Sequence, residues 1–414
     1  MHRFGLCLAA IIAAVSPLLS ADWFQFRGPE ANGHADGARL PTEWSKTKNV
    51  AWRKELPGNG WSSPVVSNGK IYVTTAVPGA GKGDYSLRAL CLNASSGDVL
   101  WDKEVFTEDG KNAPGIHSKN SHASPTPLVD SGQLFVHFGH MGTACLDAGT
   151  GAVLWATQKL KYTPVHGNGG SPVLVDGKLI FAIDGVEKQA VLALDRKSGD
   201  VVWETARNAK AKRTFSFCTP LVIAVDGKQQ IIAPGSDVVM ALDPNTGREI
   251  WRVRYSGYSV VPKPVYGNGL VYLSTGYDSP MLYAIRPGGR GDVTDTHVAW
   301  TAKKGAPHNP SPLLVGDALY CIADNGLLTC FDAATGKERW NERVGGAFSA
   351  SPIFASGLIY LLAEDGTATV VKAGSSFEGV ATNKLNERAL ASYAVDGNAL
   401  LLRTEKALYR IESK

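Results

Sequence analysis

Ten side chains in this 414-residue sequence are of the types from which a binding site is built: Trp61, His122, His166, Asn168, Arg213, Phe217, Tyr258, Lys263, His308 and Asn309. Aromatic rings supply walls, Arg213 and Lys263 supply positive charge, and the amides supply directional hydrogen bonds. The combination suits a planar anionic ligand. Most of these residues stand shortly before a small or polar residue followed by proline, and Tyr277-Asp278 reach the same neighbourhood from a connecting loop. The set is not repeated along the chain, so it is not part of a structural repeat. The competing reading is a wet, variable rim that holds no ligand.

Two other groups of chemistry-bearing residues read differently. His117, His122, His137 and His140 contain a His-x-x-His pair, but positions three apart on a strand face opposite sides, so both rings meet only across a turn. No metal site is assigned. Asp147, Asp195, Asp243 and Asp332 recur at one position of a repeated pattern. A carboxylate there accepts hydrogen bonds from the backbone N–H groups of the following turn. They read as turn locks, and no catalytic residue is assigned.

The pattern that carries these aspartates organises the chain. Cys145–Trp155 reads CLDAGTGAVLW, and Cys91–Trp101, Ala193–Trp203, Ala241–Trp251 and Cys330–Trp340 are further copies. Repetition of short strands every ~40–55 residues signals a propeller or solenoid, in which each unit buries its apolar face only against its neighbours. Gly151, Gly199, Gly247 and Gly336 supply a positive φ, and the closing tryptophans pack between neighbouring units.

Before each motif lies a pair of alternating apolar strands. The first opens after Ser63-Pro64, Ser124-Pro125, Ser171-Pro172, Thr219-Pro220, Lys263-Pro264, Ser311-Pro312 and Ser351-Pro352, and an eighth start, Ser392-Tyr393, lacks the proline. Proline at the first residue of a strand breaks no ladder bond. A pair such as Asp176-Gly177 or Ser356-Gly357 turns the first strand into the second. Eight starts predict an all-β, eight-bladed propeller of four-stranded antiparallel blades over residues 49–414. Its opening strands ring a central channel, with the ten residues at the channel mouth. The fifth unit carries a longer loop with Gly288, Gly289 and Gly291, and the seventh lacks the tryptophan. Val50-Ala51-Trp52 ends like an outer strand with no motif before it, and KALYRI (406–411) lacks a fourth strand after it. Asn49–Glu55 is therefore predicted to close the last blade and cover its edge.

Residues 1–21 have a short basic head, an apolar run and small residues at the end, which describes a secretory signal peptide. Cys7 would leave too short a signal to serve as a lipid-attachment cysteine. No later run reaches the ~18 apolar residues of a membrane span. Residues 22–48 are rich in Gly and Pro and read as an extended arm pinned by Trp23, Phe24, Phe26 and Trp44. Lys and Arg number 42 against 38 Asp and Glu, a formal net charge of +4 with the basic residues scattered, which argues against nucleic acid as a partner. The address is periplasmic or secreted, and the chain is expected to be a monomer. Beyond the signal, Cys91, Cys145 and Cys330 share one small buried slot of the motif, and Cys218 stands apart. Cys321 and Cys330 would face each other if Asn325-Gly326 is the turn, and could then form a cross-strand bridge.

The eleven-residue motif resembles the tryptophan-docking motif of the pyrroloquinoline-quinone repeat superfamily, over nearly the whole mature chain. That group includes quinoprotein dehydrogenases, the propeller lipoprotein of outer-membrane assembly and many exported propellers of unassigned role. The stretches WFQFRG, KNSHASPTP, HGNGGSPV and STGYDSP look most like the last group. The resemblance implies docking of adjacent blades through Ala193, Gly199, Trp203 and their equivalents. It departs from the quinoprotein alcohol dehydrogenases in lacking an adjacent Cys-Cys pair and a C-x-x-C-H haem motif. The expected role is non-catalytic binding of a protein partner or a cell-envelope ligand. The alternative is a quinoprotein oxidoreductase holding pyrroloquinoline quinone (PQQ) and calcium at the channel mouth.

Overall fold

Alternating apolar residues and tight turns of positive φ dictate a hairpin at each blade opening. In the third blade Val173–Val175 and Lys178–Asp184 are joined by Asp176 and Gly177 at φ 47° and 72°. This is the two-residue turn whose twist matches that of the flanking strands. Gln189–Asp195 and Val201–Ala206 complete the antiparallel blade. The computed structural model, which describes residues 22–110 and 115–413, repeats this unit eight times in eight separate sheets. The signal-peptide reading of residues 1–21 lies outside the described residues.

The ring closes as the sequence pattern predicts. Val50–Glu55 pairs antiparallel with Ala407–Ile411 and becomes the outer strand of the eighth blade. Opening and closing segments of the chain thus share one sheet, so opening the ring requires breaking a strand pair. The fifth blade's long loop does more than turn. Its Gly291–Asp292 adds a parallel fifth strand to the fourth blade at Trp251 and Arg252, followed by a helical turn at Thr294–His297. Among the described residues no helix is long and apolar enough to cross a membrane.

Tryptophans hold the blades together by one recurrent contact. The Trp155 indole donates from Nε1 to the Arg196 carbonyl at 2.8 Å and lies where a Cβ on Gly199 would come within 2.5 Å of its ring. Trp52, Trp101, Trp203, Trp300 and Trp340 likewise donate to a carbonyl in the corresponding turn of the next blade. Except at Gly374, where the seventh blade lacks the motif, the glycine of that turn has φ near 70° and the ring occupies the space of its side chain. Asp147 locks one such turn by accepting from Thr150 N at 2.8 Å, and Asp195 and Asp243 do the same in theirs. Trp251 breaks the rule. It is fully buried and donates to Gln230 Oε1 in its own blade, where the added strand covers it.

The cysteine expectation is corrected by the strand register. Cys321 pairs with Thr329 and Cys330 with Tyr320, one residue out of the register that a two-residue Asn325-Gly326 turn would set. Adjacent register positions put the two thiols on opposite faces of the sheet. All five cysteines from Cys91 to Cys330 are free and buried.

Residues 22–48 cross the far end of the channel. Trp23 and Phe24 carbonyls accept from Val66 and Val129, and His34 pairs with Phe354. Tyr360 then donates to the Leu40 carbonyl and Asn383 to that of Thr42. Trp23 and Trp44 are buried there as packing anchors. Phe26 instead faces the channel and forms part of its lining.

Candidate functional site

The residue that precedes each opening strand forms the narrow ring of the channel. Ser63 N donates to Thr126 Oγ1 at 3.0 Å, Thr126 N to Ser171 Oγ at 2.9 Å, and Ser171 N to Thr219 Oγ1 at 2.9 Å. The chain of bonds resumes from Lys263 N to Ser311 Oγ, Ser311 N to Ser351 Oγ and Ser351 N to Ser392 Oγ. A hydroxyl at this position satisfies a backbone donor of the neighbouring blade that no strand ladder reaches. The second blade joins the ring through Thr126-Pro127, not through Ser124-Pro125, which sits one step higher. The fifth blade has no hydroxyl to offer, because Lys263 holds the place.

Two residues nearer the mouth is a second ring: Trp61, Ser124, Gly169, Phe217, Val261, Asn309, Ser349 and Leu390. Together the two rings and Phe26 enclose a cavity of about 100 Å3. Organic ligands generally occupy pockets of about 300–1,000 Å3. A tricyclic quinone does not fit this space. Of the ten expected site residues, only Trp61, Phe217 and Asn309 line it.

Three of the remaining seven are buried away from the mouth, which corrects the expectation that they open onto it. His122 is 6 % exposed and packs on Tyr85 with ring centroids 4.4 Å apart, and burial lowers its pKa. Asn168 accepts from Tyr162 at 2.6 Å and meets His140 Nδ1 at 3.1 Å. Lys263 is 1 % exposed, and burial, reinforced by the Arg27 charge, lowers its pKa to about 7.

The other four gather on the outer rim. His117, His166, Phe215, Tyr258, Tyr277 and His308 form a continuous arc of rings with successive centroids 5.4–6.1 Å apart. Arg213 lies 4.5 Å over the Tyr258 ring and donates to its hydroxyl, which in turn donates to Asp278 at 2.6 Å. Asn309 donates to Asp324, and His308 N donates to it at 2.7 Å. Burial would raise the Asp324 pKa, but these hydrogen bonds and the His308 charge hold it below the usual carboxylate value. Beside the His117 end of the arc, Lys119 pairs with Glu364 at 2.7 Å, and Arg388 caps Trp61 and donates to Ser118 O.

Phe215, Asp324, Glu364 and Arg388 were not legible as site residues. Phe215 had a signal, the alternation of aromatic residues in TFSFC (214–218), whereas the acids and Arg388 join only through loop packing. Behind the rim, Asp184 and Arg207 form a fully buried bidentate pair with Ser216 donating to Asp184 at 2.5 Å. Among the described residues no three His, Cys, Asp or Glu side chains are grouped to hold a metal ion.

Eight four-stranded blades docked by motif tryptophans, with a hydroxyl-ringed channel, define a PQQ-like repeat propeller. Residues 35–183, 187–311 and 289–376 match the model of the family described as outer membrane protein assembly factor BamB, and the chain belongs to that family. It is 25% identical over 296 residues to the dehydrogenase subunit of alcohol dehydrogenase (quinone) from Gluconobacter oxydans, covering 66% of this chain and 34% of that protein. It is 24% identical over 290 residues to outer membrane protein assembly factor BamB of Yersinia pestis, covering 68% of this chain and 64% of that protein. The chain thus spans less than two thirds of either relative. The crystal structure of BamB from Moraxella catarrhalis has the same fold, with a TM-score of 0.59 at 15% identity over 87% of this chain and 99% of that one.

Proposed function

We propose that this chain is an exported, non-catalytic binding propeller of the cell envelope, and that its rim arc docks a protein partner or an envelope ligand. The observation that carries the reading is the arc itself. Rings from consecutive blade junctions form one surface, Tyr277 stands 56 % exposed on it, and the polar groups between the rings are already bonded to one another. Aromatic side chains fixed in this way lose little entropy on binding and commonly anchor interfaces. His166, Ser259 and Asp278 hold left-handed backbone in the rim loops, at φ 67°, 54° and 68°, and strain of this kind clusters at binding sites. The match to the outer membrane assembly factor family supports the scaffold reading.

The test is a photo-crosslinking residue placed at Tyr277 and, as a control, at Leu154 on the exposed outer wall. A discrete adduct in the native envelope from position 277 alone is the expected result. In parallel, the purified protein is titrated with PQQ with and without calcium. Saturable one-to-one binding that needs calcium, with turnover of an alcohol and a dye acceptor, would overturn the reading. A quinoprotein oxidoreductase is the second reading, favoured by the similarity to the quinone alcohol dehydrogenase subunit. It requires the mouth to open well beyond its present volume. It predicts that Arg213→Ala or His308→Ala abolishes quinone binding without unfolding the protein.

A further inference from the structure

The far end of the channel holds positive charge with no acid to balance it. Five cationic side chains are buried: Arg27, Arg207, Arg252, Lys263 and Arg403. Arg207 pairs with Asp184 and Arg252 with Glu249. Arg403 closes the seam between the eighth and first blades by donating to the Ser62 carbonyl and hydroxyl. Arg403, Arg27 and Lys263 all lack a carboxylate partner among the described residues, and of the three Arg27 and Lys263 lie near one another.

These two cations converge on the same stretch of chain. Arg27 Nη2 donates to the carbonyls of Asn32 at 2.6 Å and Pro312 at 2.9 Å, while its Nε and Nη1 are buried with no partner. Lys263 N donates to Ser311, the neighbour of Pro312, and its ammonium makes no hydrogen bond to a described residue. The Arg27 guanidinium is close enough to disfavour the charged form of Lys263. The buried thiol near Lys263 supplies no negative charge, because burial pushes the Cys218 pKa up to about 12. A buried charge is costly unless it is paired, and two of like sign are costlier.

We infer that the channel floor binds one small inorganic anion between the Arg27 guanidinium and the Lys263 ammonium. The orphaned N–H groups on Arg27 Nε and Nη1 and the free ammonium supply charge-assisted donors for it. The Nη2 side of the guanidinium is closed, since a Cβ on Gly33 would lie 2.8 Å from Nη2 and 3.1 Å from Pro352 O, so the anion meets Arg27 from its Nε and Nη1 side. The site also accounts for the single break in the hydroxyl ring. Where seven blades place Ser or Thr, the fifth places a lysine whose charge the anion balances.

Binding to the folded state alone raises its thermal midpoint. The experiment compares unfolding of the mature protein in sodium chloride and in sodium gluconate at equal ionic strength and pH 7. Crystals soaked in bromide are measured in parallel at the bromine edge. A midpoint several degrees higher in chloride is expected, with one bromide peak within hydrogen-bond reach of both cations. Lys263→Ser restores a hydroxyl to the ring, and in that variant the chloride-specific rise and the bromide peak should disappear while the protein stays folded. Arg27→Gln should lose the peak as well. Equal midpoints in the two salts for the unaltered protein, a chloride effect that survives Lys263→Ser, or no bromide at the floor would each overturn the inference.

Discussion

Replacing Gly199 with alanine tests the tryptophan docking that holds the blades together. Gly199 has φ 73°, and a Cβ there would come within 2.5 Å of the Trp155 ring. A left-handed alanine costs roughly 1 kcal/mol. Displacing the indole adds about 1–3 kcal/mol for overpacking and about 1 kcal/mol for the hydrogen bond to Arg196. The expected loss is therefore about 3–5 kcal/mol. Gly227 provides the control, since its φ is 74° and a Cβ there would meet nothing within 4 Å. Gly227→Ala should cost only the backbone term, roughly 1 kcal/mol. Chemical denaturation of both variants, alone and with Trp155→Ala, separates the terms by a double-mutant cycle. In the Trp155→Ala background, Gly199→Ala should fall to the cost of Gly227→Ala. Equal losses for the two glycines with Trp155 present would refute the docking account.

Acid should destabilise the protein through its buried histidines. Burial, with a smaller effect of His140, lowers the His137 pKa to about 3, and burial lowers that of His140 to about 4. The unfolded chain takes up these protons near pH 6.5 and the folded chain does not, so stability is full above that pH and falls as the pH drops toward 4. His137→Gln should flatten the decline in a series of thermal midpoints between pH 7 and 4, and an unchanged slope would exclude His137 as its source. Arg207→Met strands the Asp184 charge and should cost about 3–5 kcal/mol by denaturant titration; a loss under 1 kcal/mol would mean that the pair is not buried in solution. Peptide mapping under non-reducing conditions should recover Cys321 and Cys330 as free thiols, and a peptide linking them would contradict the strand register. Lys54→Pro removes a ladder bond between the closing strand and Leu408 in the last blade, which should lower the unfolding midpoint and speed proteolysis of that blade, and unchanged proteolysis would show that closure does not depend on this pair.

Much of the architecture was readable because it rests on local chemistry. Strand alternation, the Asp-Gly turns and the motif from Cys145 to Trp155 are short-range patterns repeated often enough to count blades. The partnership of Val50–Glu55 with Ala407–Ile411 followed from two incomplete units. The candidate site was less legible, because proximity to a proline sets a residue's height in the channel and leaves its direction open. Trp61, Phe217 and Asn309 do line the cavity, whereas Lys263, two residues deeper in the place of a ring hydroxyl, runs into the protein. The one-residue register that separates Cys321 from Cys330 also depended on how the turn from Ala323 to Leu327 hydrogen-bonds. Sequence by itself determined the repeat and its number, each encoded within some fifty residues, and the closure, from the incomplete units near residues 50–55 and 406–411. Only the tertiary structure decided which rings meet across five blade junctions, that Phe26 lines the channel, and that Arg27 and Lys263 share a site without an acid. Those contacts join residues up to hundreds of positions apart, and they follow from the curvature of the closed ring, which brings loops together that no local pattern pairs.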